Sequence, residues 1–240
     1  MEIKVIKLGN FKVDADKNFH YLDPTEEFKG IKLAIQPYIV RTKNDTVLLD
    51  AGLGMLHNNE PLLINQLKNE QIASTQISKI LISHLHKDHC GGLAYFKDNT
   101  FVPNFPNATI YIQQREYEYA LQQTDSKSYD LKFLTALKDV PNIVWLHADE
   151  GSISSEITYK VTKAHAPYHQ VFWIQDQQHT LFYGADDLPT TGHLKRAIAF
   201  KTDFNGSLAM RLRKEWQQQA TTHQWLVLFY HDMKTPYLAF

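Results

Sequence analysis

The chain has 240 residues, 43% hydrophobic and 21% charged, a balance that fits a soluble globular protein. A formal net charge of −1 argues against a nucleic-acid-binding surface, and no run reaches the roughly 18 apolar residues that a membrane span needs. "MEIKVIKLGN" lacks the apolar core of a signal peptide, and a lone cysteine, Cys90, forms no intrachain disulfide, so a cytoplasmic location is expected.

In chain order, strands come first. "EIKVIKL" alternates, while "KLAIQPYIVRT" and "TVLLDAG" are rich in β-branched residues, with "KND" as the turn between them. A helix follows near Pro61, with Leu63 and Leu67 on one face. Then come the strand "SKILIS", the strand "ATIYIQQ" and two helical stretches near 113–123 and 129–138. The second half returns to strands: "IVWLHA", "EITYKVTKA", "QVFWIQD" and "TLFYGAD". A helix over 206–220 carries Leu208, Leu212 and Trp216 at four-residue spacing, with Asn205 or Ser207 as its cap, and "WLVLFYHD" is the last strand. No linker or repeat interrupts the chain, so one domain over 1–240 is expected. Its class is α/β, two sheets packed face to face with helices outside.

The densest chemistry lies in "LISHLHKDHCGGL", where His84, His86, Asp88 and His89 fall within six positions. Protonated imidazoles this close would repel one another. A bound divalent cation keeps them deprotonated and turns the repulsion into shared attraction. Gly91 and Gly92 let the backbone turn closely beneath such a site. Four ligands do not close two metal shells, and three more ligand-type residues stand at later strand ends: His165, Asp186 and His231. Asp187 competes with Asp186 for this place.

"SHLHKDHCGGL", "KAHAPYHQ", "LFYGADDLPT" and "LFYHD", with "TVLLDAG" upstream, together resemble the metallo-β-lactamase-fold hydrolases from about residue 31 onward. The resemblance implies a four-layer αββα sandwich of two mixed sheets. It implies a first metal on His84, His86 and His165, a second on Asp88, His89 and His231, and Asp186 bridging them, with Asp50 orienting a ligand histidine from behind. The implied cofactors are two divalent ions, Zn²⁺ foremost, with Fe or Mn as alternatives. A hydroxide between them would attack the substrate, with Asp186 as bridging ligand and Asp88 able to shuttle a proton. Cys90 is read as a packing residue beside the site.

Within that family the acyl-homoserine lactone lactonases are the nearest comparison, through "FYHD". Two positions depart from them. Pro189 replaces a tyrosine shortly after the bridging aspartate, and Tyr168 stands where "HTPGH" has glycine. Tyr168 and His193 are candidates for substrate contact or for packing, and the segment 18–28 for a pocket wall or a surface loop. The expected activity is hydrolysis of an ester, lactone or similar small molecule, with no nucleic-acid or membrane partner and the oligomeric state open. The rival reading is an iron-containing redox or sensor protein on the same scaffold. The tail "PYLAF" docks either on its own domain or on a partner.

Overall fold

The computed structural model describes residues 1–25 and 27–240. The first sheet has the spatial order Glu2–Val5, Tyr38–Arg41, Thr46–Leu49, Lys79–Leu81, Thr109–Gln113 and Ile143–Leu146. Its last four strands run parallel. The second sheet runs Glu150–Ser152, Ile157–Val161, Gln170–Gln175, Thr180–Tyr183, Leu226–Leu228 and Tyr237–Ala239, parallel only where Thr180–Tyr183 meets Leu226–Leu228.

Period-two alternation explains the layering. In the second sheet Phe172, Ile174, Leu181, Tyr183 and Leu228 join Leu48, Ile80 and Ile112 of the first sheet in one core. The intervening Val171, Phe182 and Val227 point the other way, onto Leu194, Trp216 and Ala220 of the outer helices. Strands buried on both faces read as continuous apolar runs, as "TLFY" and "LVLF" do. Full burial of a side chain such as Phe182 contributes about 1.5–3 kcal/mol, so this second layer fixes the Gly206–His223 helix firmly.

Two local expectations are revised, and one open alternative is resolved. "KLAIQPYIVRT" is two strands, Ile31–Ile35 and Tyr38–Arg41, divided at Gln36–Pro37. Proline offers no ladder N–H, and the Gln36 amide instead donates to the Phe229 and Asp232 carbonyls. Ile31–Ile35 joins Gly9–Val13 and Phe19–Tyr21 in a separate three-stranded sheet. The 206–223 helix, capped by Asn205, buries Ala209, Arg213, Trp216 and Ala220, a stripe one residue on from the Leu208–Leu212 spacing, with Arg213 inside it. The tail docks on its own sheet, since Tyr237–Ala239 pairs with Leu226–Leu228.

Among the described residues no helix is long and apolar enough to cross a membrane.

Candidate metal centre

Strand register brings the site together. Leu49 pairs in parallel with Leu81, so both strands end on one edge and release Asp50 beside Ser83 and His84. Tyr183 pairs in parallel with Leu228, releasing Asp186 and His231 on the matching edge of the other sheet. Loops at the carboxyl ends of parallel strands are the usual place for a site in such folds. Gln170 ties the edges together, its backbone N–H donating to Ser83 O (2.9 Å) and its amide to Ile82 O (2.8 Å).

The short Lys87–Cys90 helix aims Asp88 and His89 inward, and Gly91 and Gly92 pack it directly on the Ala51–Gly54 backbone. A Cβ at Gly92 would collide with the Ala51 carbonyl oxygen. Gly92→Ala is therefore expected to cost about 1–3 kcal/mol of stability, read as a lower melting temperature, because two backbones must part beside the site. An unchanged melting point would show that the contact relaxes freely.

Seven side chains converge. The donor atoms of His84, His86, His165 and Asp186 lie within 4.8 Å of one another, and so do those of Asp88, His89 and His231. His84 Nε2 is 2.9 Å and His165 Nε2 is 3.3 Å from His86 Nδ1. Four tetrahedral donors around zinc, each about 2.0–2.1 Å from it, stand about 3.3 Å apart. The Asp186 carboxylate faces both groups: Oδ2 lies 3.2 Å from His165 Nε2, and Oδ1 lies 3.2 Å from His89 Nε2 and 2.9 Å from His231 Nε2. Asp88 Oδ2 is 3.6 Å from His231 Nε2. Asp187 takes another place, accepting the His165 backbone N–H at 2.7 Å and the Thr162 hydroxyl.

Four of the five histidines engage an outward Nδ1, while His86 turns its Nδ1 inward. His89 Nδ1 is 2.7 Å from Asp50 Oδ2, and His84 Nδ1 is 3.0 Å from Ser83 Oγ, which itself donates to Asp50. His165 Nδ1 meets Asp203 Oδ1 at 3.0 Å, and His231 Nδ1 donates to Ala34 O at 2.8 Å. With these protons held outside, the Nε2 lone pairs point inward at one another. Tyr230 stacks on His89 and donates to Asp88 O.

The electrostatics suit cations. Burial holds His84 and His86 well below the ordinary imidazole range, in the neutral form that ligates. Burial would also lower His89 and His231, but the Asp186 and Asp88 carboxylates outweigh it and raise both. Burial would raise Asp186, yet the His231, His89 and His165 imidazoles hold its carboxyl far below the usual range. His89 Nε2 and Asp186 Oδ1 are buried without a hydrogen-bond partner within the chain. Orphaned donor atoms converging on common points are what a metal satisfies, so the residues present fit a pair of divalent ions.

A cleft of about 380 Å³ opens onto His86, Asp88, His165, Asp186 and His231. Phe19 belongs to its wall, while Glu26 of the 18–28 segment lies outside the described residues. Tyr168 and His193 are not among the lining residues. Tyr168 carries the Arg115 guanidinium over its ring. His193 is buried in a short helix against Thr190 Oγ1 and Phe200, and burial together with Arg213 pushes it down to about 4. Cys90 is buried, and its thiol is pushed up by that burial.

Several residues beneath the site had no signal in the sequence. Arg213, fully buried, donates from Nε to Asp187 O (2.6 Å) and lies 3.6 Å from Asp203, so one guanidinium braces the Asp186–Asp187 turn and the carboxylate behind His165. Tyr129 meets His86 edge-on and donates to the buried Glu116, which burial raises to about 7. The one available hint, Arg213 four residues after Ala209 on the helix, reads as a solvated charge until the buried stripe is known.

A profile of the metallo-beta-lactamase superfamily matches residues 32–231. The chain is 24% identical over 228 residues to an N-acyl homoserine lactonase of Bacillus thuringiensis, covering 86% of this chain and 84% of that one. The fold is similar to a probable metal-dependent hydrolase from Staphylococcus aureus, with TM-score 0.79, 20% identity, and coverage of 99% of this chain and 91% of that one. It is also similar to a dizinc quorum-quenching lactonase solved with a product, with TM-score 0.69, 23% identity, and coverage of 86% and 75%. Profile, relatives and donor set agree: this chain belongs to the metallo-beta-lactamase superfamily and is a metal-dependent hydrolase.

Proposed function

We propose that this hydrolase works with two metal ions, zinc foremost, and cleaves carboxylic esters and lactones. The observation that carries the reading is the two-sided environment of Asp186, one carboxylate oxygen toward His165 and the other toward His89 and His231. In this reading His84, His86 and His165 would hold one ion, Asp88, His89 and His231 would hold the other, and Asp186 would serve both. When bound, such ions would supply Lewis acidity, which lowers the pKa of bound water toward about 7 and polarises the scissile carbonyl.

The chain's own residues do the rest. Asp50, Ser83, Asp203 and Ala34 O keep imidazole protons on the outward nitrogens, so the inward ones stay free to ligate. Asp88 lines the cleft, and in this reading it takes and returns a proton during turnover. The aromatic and aliphatic wall around Phe19, Leu33 and Phe200 excludes water and orients an acyl body. Lactonase relatives and a dizinc neighbour support the substrate class and the metal. A single, buried cysteine accords with a cytoplasmic setting.

The test is a hydrolysis screen of chelator-stripped protein, before and after two equivalents of zinc, against lactones, aryl esters, thioesters and phosphodiesters. Lactones or aryl esters should turn over with kcat/KM of about 10⁴ M⁻¹ s⁻¹ or more, only in the zinc-loaded protein. Two bound zinc ions without hydrolysis of any of them, or an iron centre that consumes oxygen instead, would replace this reading.

A further inference from the structure

Two lysines face the cleft, and the proposed chemistry does not use them. Lys17 and Lys87 are its basic lining residues, each half-buried. Among the described residues, neither ammonium has a hydrogen-bond or ion-pair partner. The carboxylates nearest to them along the chain or across a cleft are committed elsewhere. Asp14 accepts the backbone N–H groups of Asp16 and Asn18 and lies 3.1 Å from His20, and Asp16 pairs with Lys127. Asp130, which shares a second cleft with Lys87, caps a helix by accepting the Phe133 N–H.

Both lysines are positioned by backbone. Lys17 sits in a turn at φ 59°, its N–H on Asp14 O. Lys87 lies between His86 and Asp88, its N–H donating to Ser128 O at 2.9 Å. Among the described residues, the only carboxylates in the cleft lining are Asp88 and Asp186, both in the metal cluster. With two divalent ions in place those two are outweighed, and the lysines add to the excess. Low-dielectric walls of Phe19, Ile31, Leu33, Phe200 and Phe204 strengthen that positive field.

We propose that Lys17 and Lys87 form an anion subsite, and that the preferred substrate is an ester or lactone whose apolar body carries an anionic group, a carboxylate or a phosphate. This rests on the two-metal hydrolase reading and narrows its substrate class. Half-buried lysines without a partner on their own chain, lining an apolar cleft, offer charge-assisted hydrogen bonds to an anion there.

The experiment uses zinc-loaded protein and aryl esters matched in acyl length: neutral alkanoates, ω-carboxylates and ω-phosphates. Non-hydrolysable amides of the same series are titrated by calorimetry. The anionic members should show about tenfold higher kcat/KM and about tenfold tighter amide binding than the neutral ones, which corresponds to about 1.4 kcal/mol. That ratio should shrink between 0.05 and 0.5 M salt. It should fall about threefold in Lys17→Met or Lys87→Met, approach one in the double variant, and persist in Lys87→Arg. Whichever anionic arm shows the larger ratio names the group. A ratio of one in the wild type, or a ratio unmoved in the double variant, overturns the subsite while leaving ester hydrolysis intact. If no ester is hydrolysed, the ester-and-lactone reading fails, and the amide affinities still decide the subsite.

Discussion

Asp186→Asn is expected to lower kcat/KM by about a thousandfold, or about 4 kcal/mol of transition-state stabilisation. The change is isosteric, and the Arg213 guanidinium still holds the backbone of the Asp186–Asp187 turn, so folding should survive. What changes is the bridge. The carboxylate has one oxygen toward His165 and one toward His89 and His231. An asparagine must turn its NH₂ toward one of those groups, where it ligates nothing. It also removes a negative charge from between the two proposed cation positions. Bound zinc, measured by elemental analysis after dialysis, should fall from two toward one per chain, and the metal-free protein should still melt cooperatively but at a lower temperature, because the charge among His231, His89 and His165 is lost. Two tightly held zinc ions and full activity in this variant would end the bridging assignment.

The sequence was most informative where the chemistry is contiguous or sits at a strand end. His84, His86, Asp88 and His89 are neighbours along the chain, and their crowding has few explanations besides a cation. His165, Asp186 and His231 each follow an apolar strand, and parallel register delivers the last two to one edge. Choosing Asp186 over Asp187 came from family likeness. The physical distinction is visible only in three dimensions, where Asp187 turns back to hold the His165 backbone. Asp203, Glu116 and Arg213 were hidden for the same reason, because a buried ionic group is defined by partners far away in the chain. On the outer helix Trp216 is buried and Leu212 packs beside it as their spacing implies, while Arg213 fills a buried position that hydrophobic periodicity does not mark. The sheet containing Gly9–Val13 and Phe19–Tyr21 escaped notice because its strands are short and mostly half-exposed, yet it supplies the cleft wall.

Asp50→Asn is expected to weaken zinc binding at the His89 position by about 10–100-fold, with a matching loss of activity at limiting zinc. Asp50 is fully buried and collects four donors: Ser83 N–H on Oδ1, and Ser83 Oγ, His89 Nδ1 and the Tyr183 hydroxyl on Oδ2. An amide has one acceptor oxygen, and both orientations fail. With NH₂ toward Ser83 N–H, two donors face each other and the backbone cannot turn away, at about 1–3 kcal/mol. With NH₂ toward His89, the hydroxyls can rotate to accept, but the imidazole must move its proton to Nε2, the nitrogen that faces Asp186. The chain His84–Ser83–Asp50 carries the disturbance to the other metal group as well. Asp50→Ala goes further: it strands every donor and puts alanine at φ 53°, for a total of about 3–5 kcal/mol. In a chain of this size that lowers the melting temperature by about 6–20 °C. Tyr183→Phe is the calibrating variant, since it removes one donor and leaves the carboxylate three; it should cost about 1 kcal/mol and keep both zinc ions. If Asp50→Asn instead binds two zinc ions as tightly as the parent, the proton on His89 is set by something other than Asp50, and the positioning role fails while the metal ligands stand.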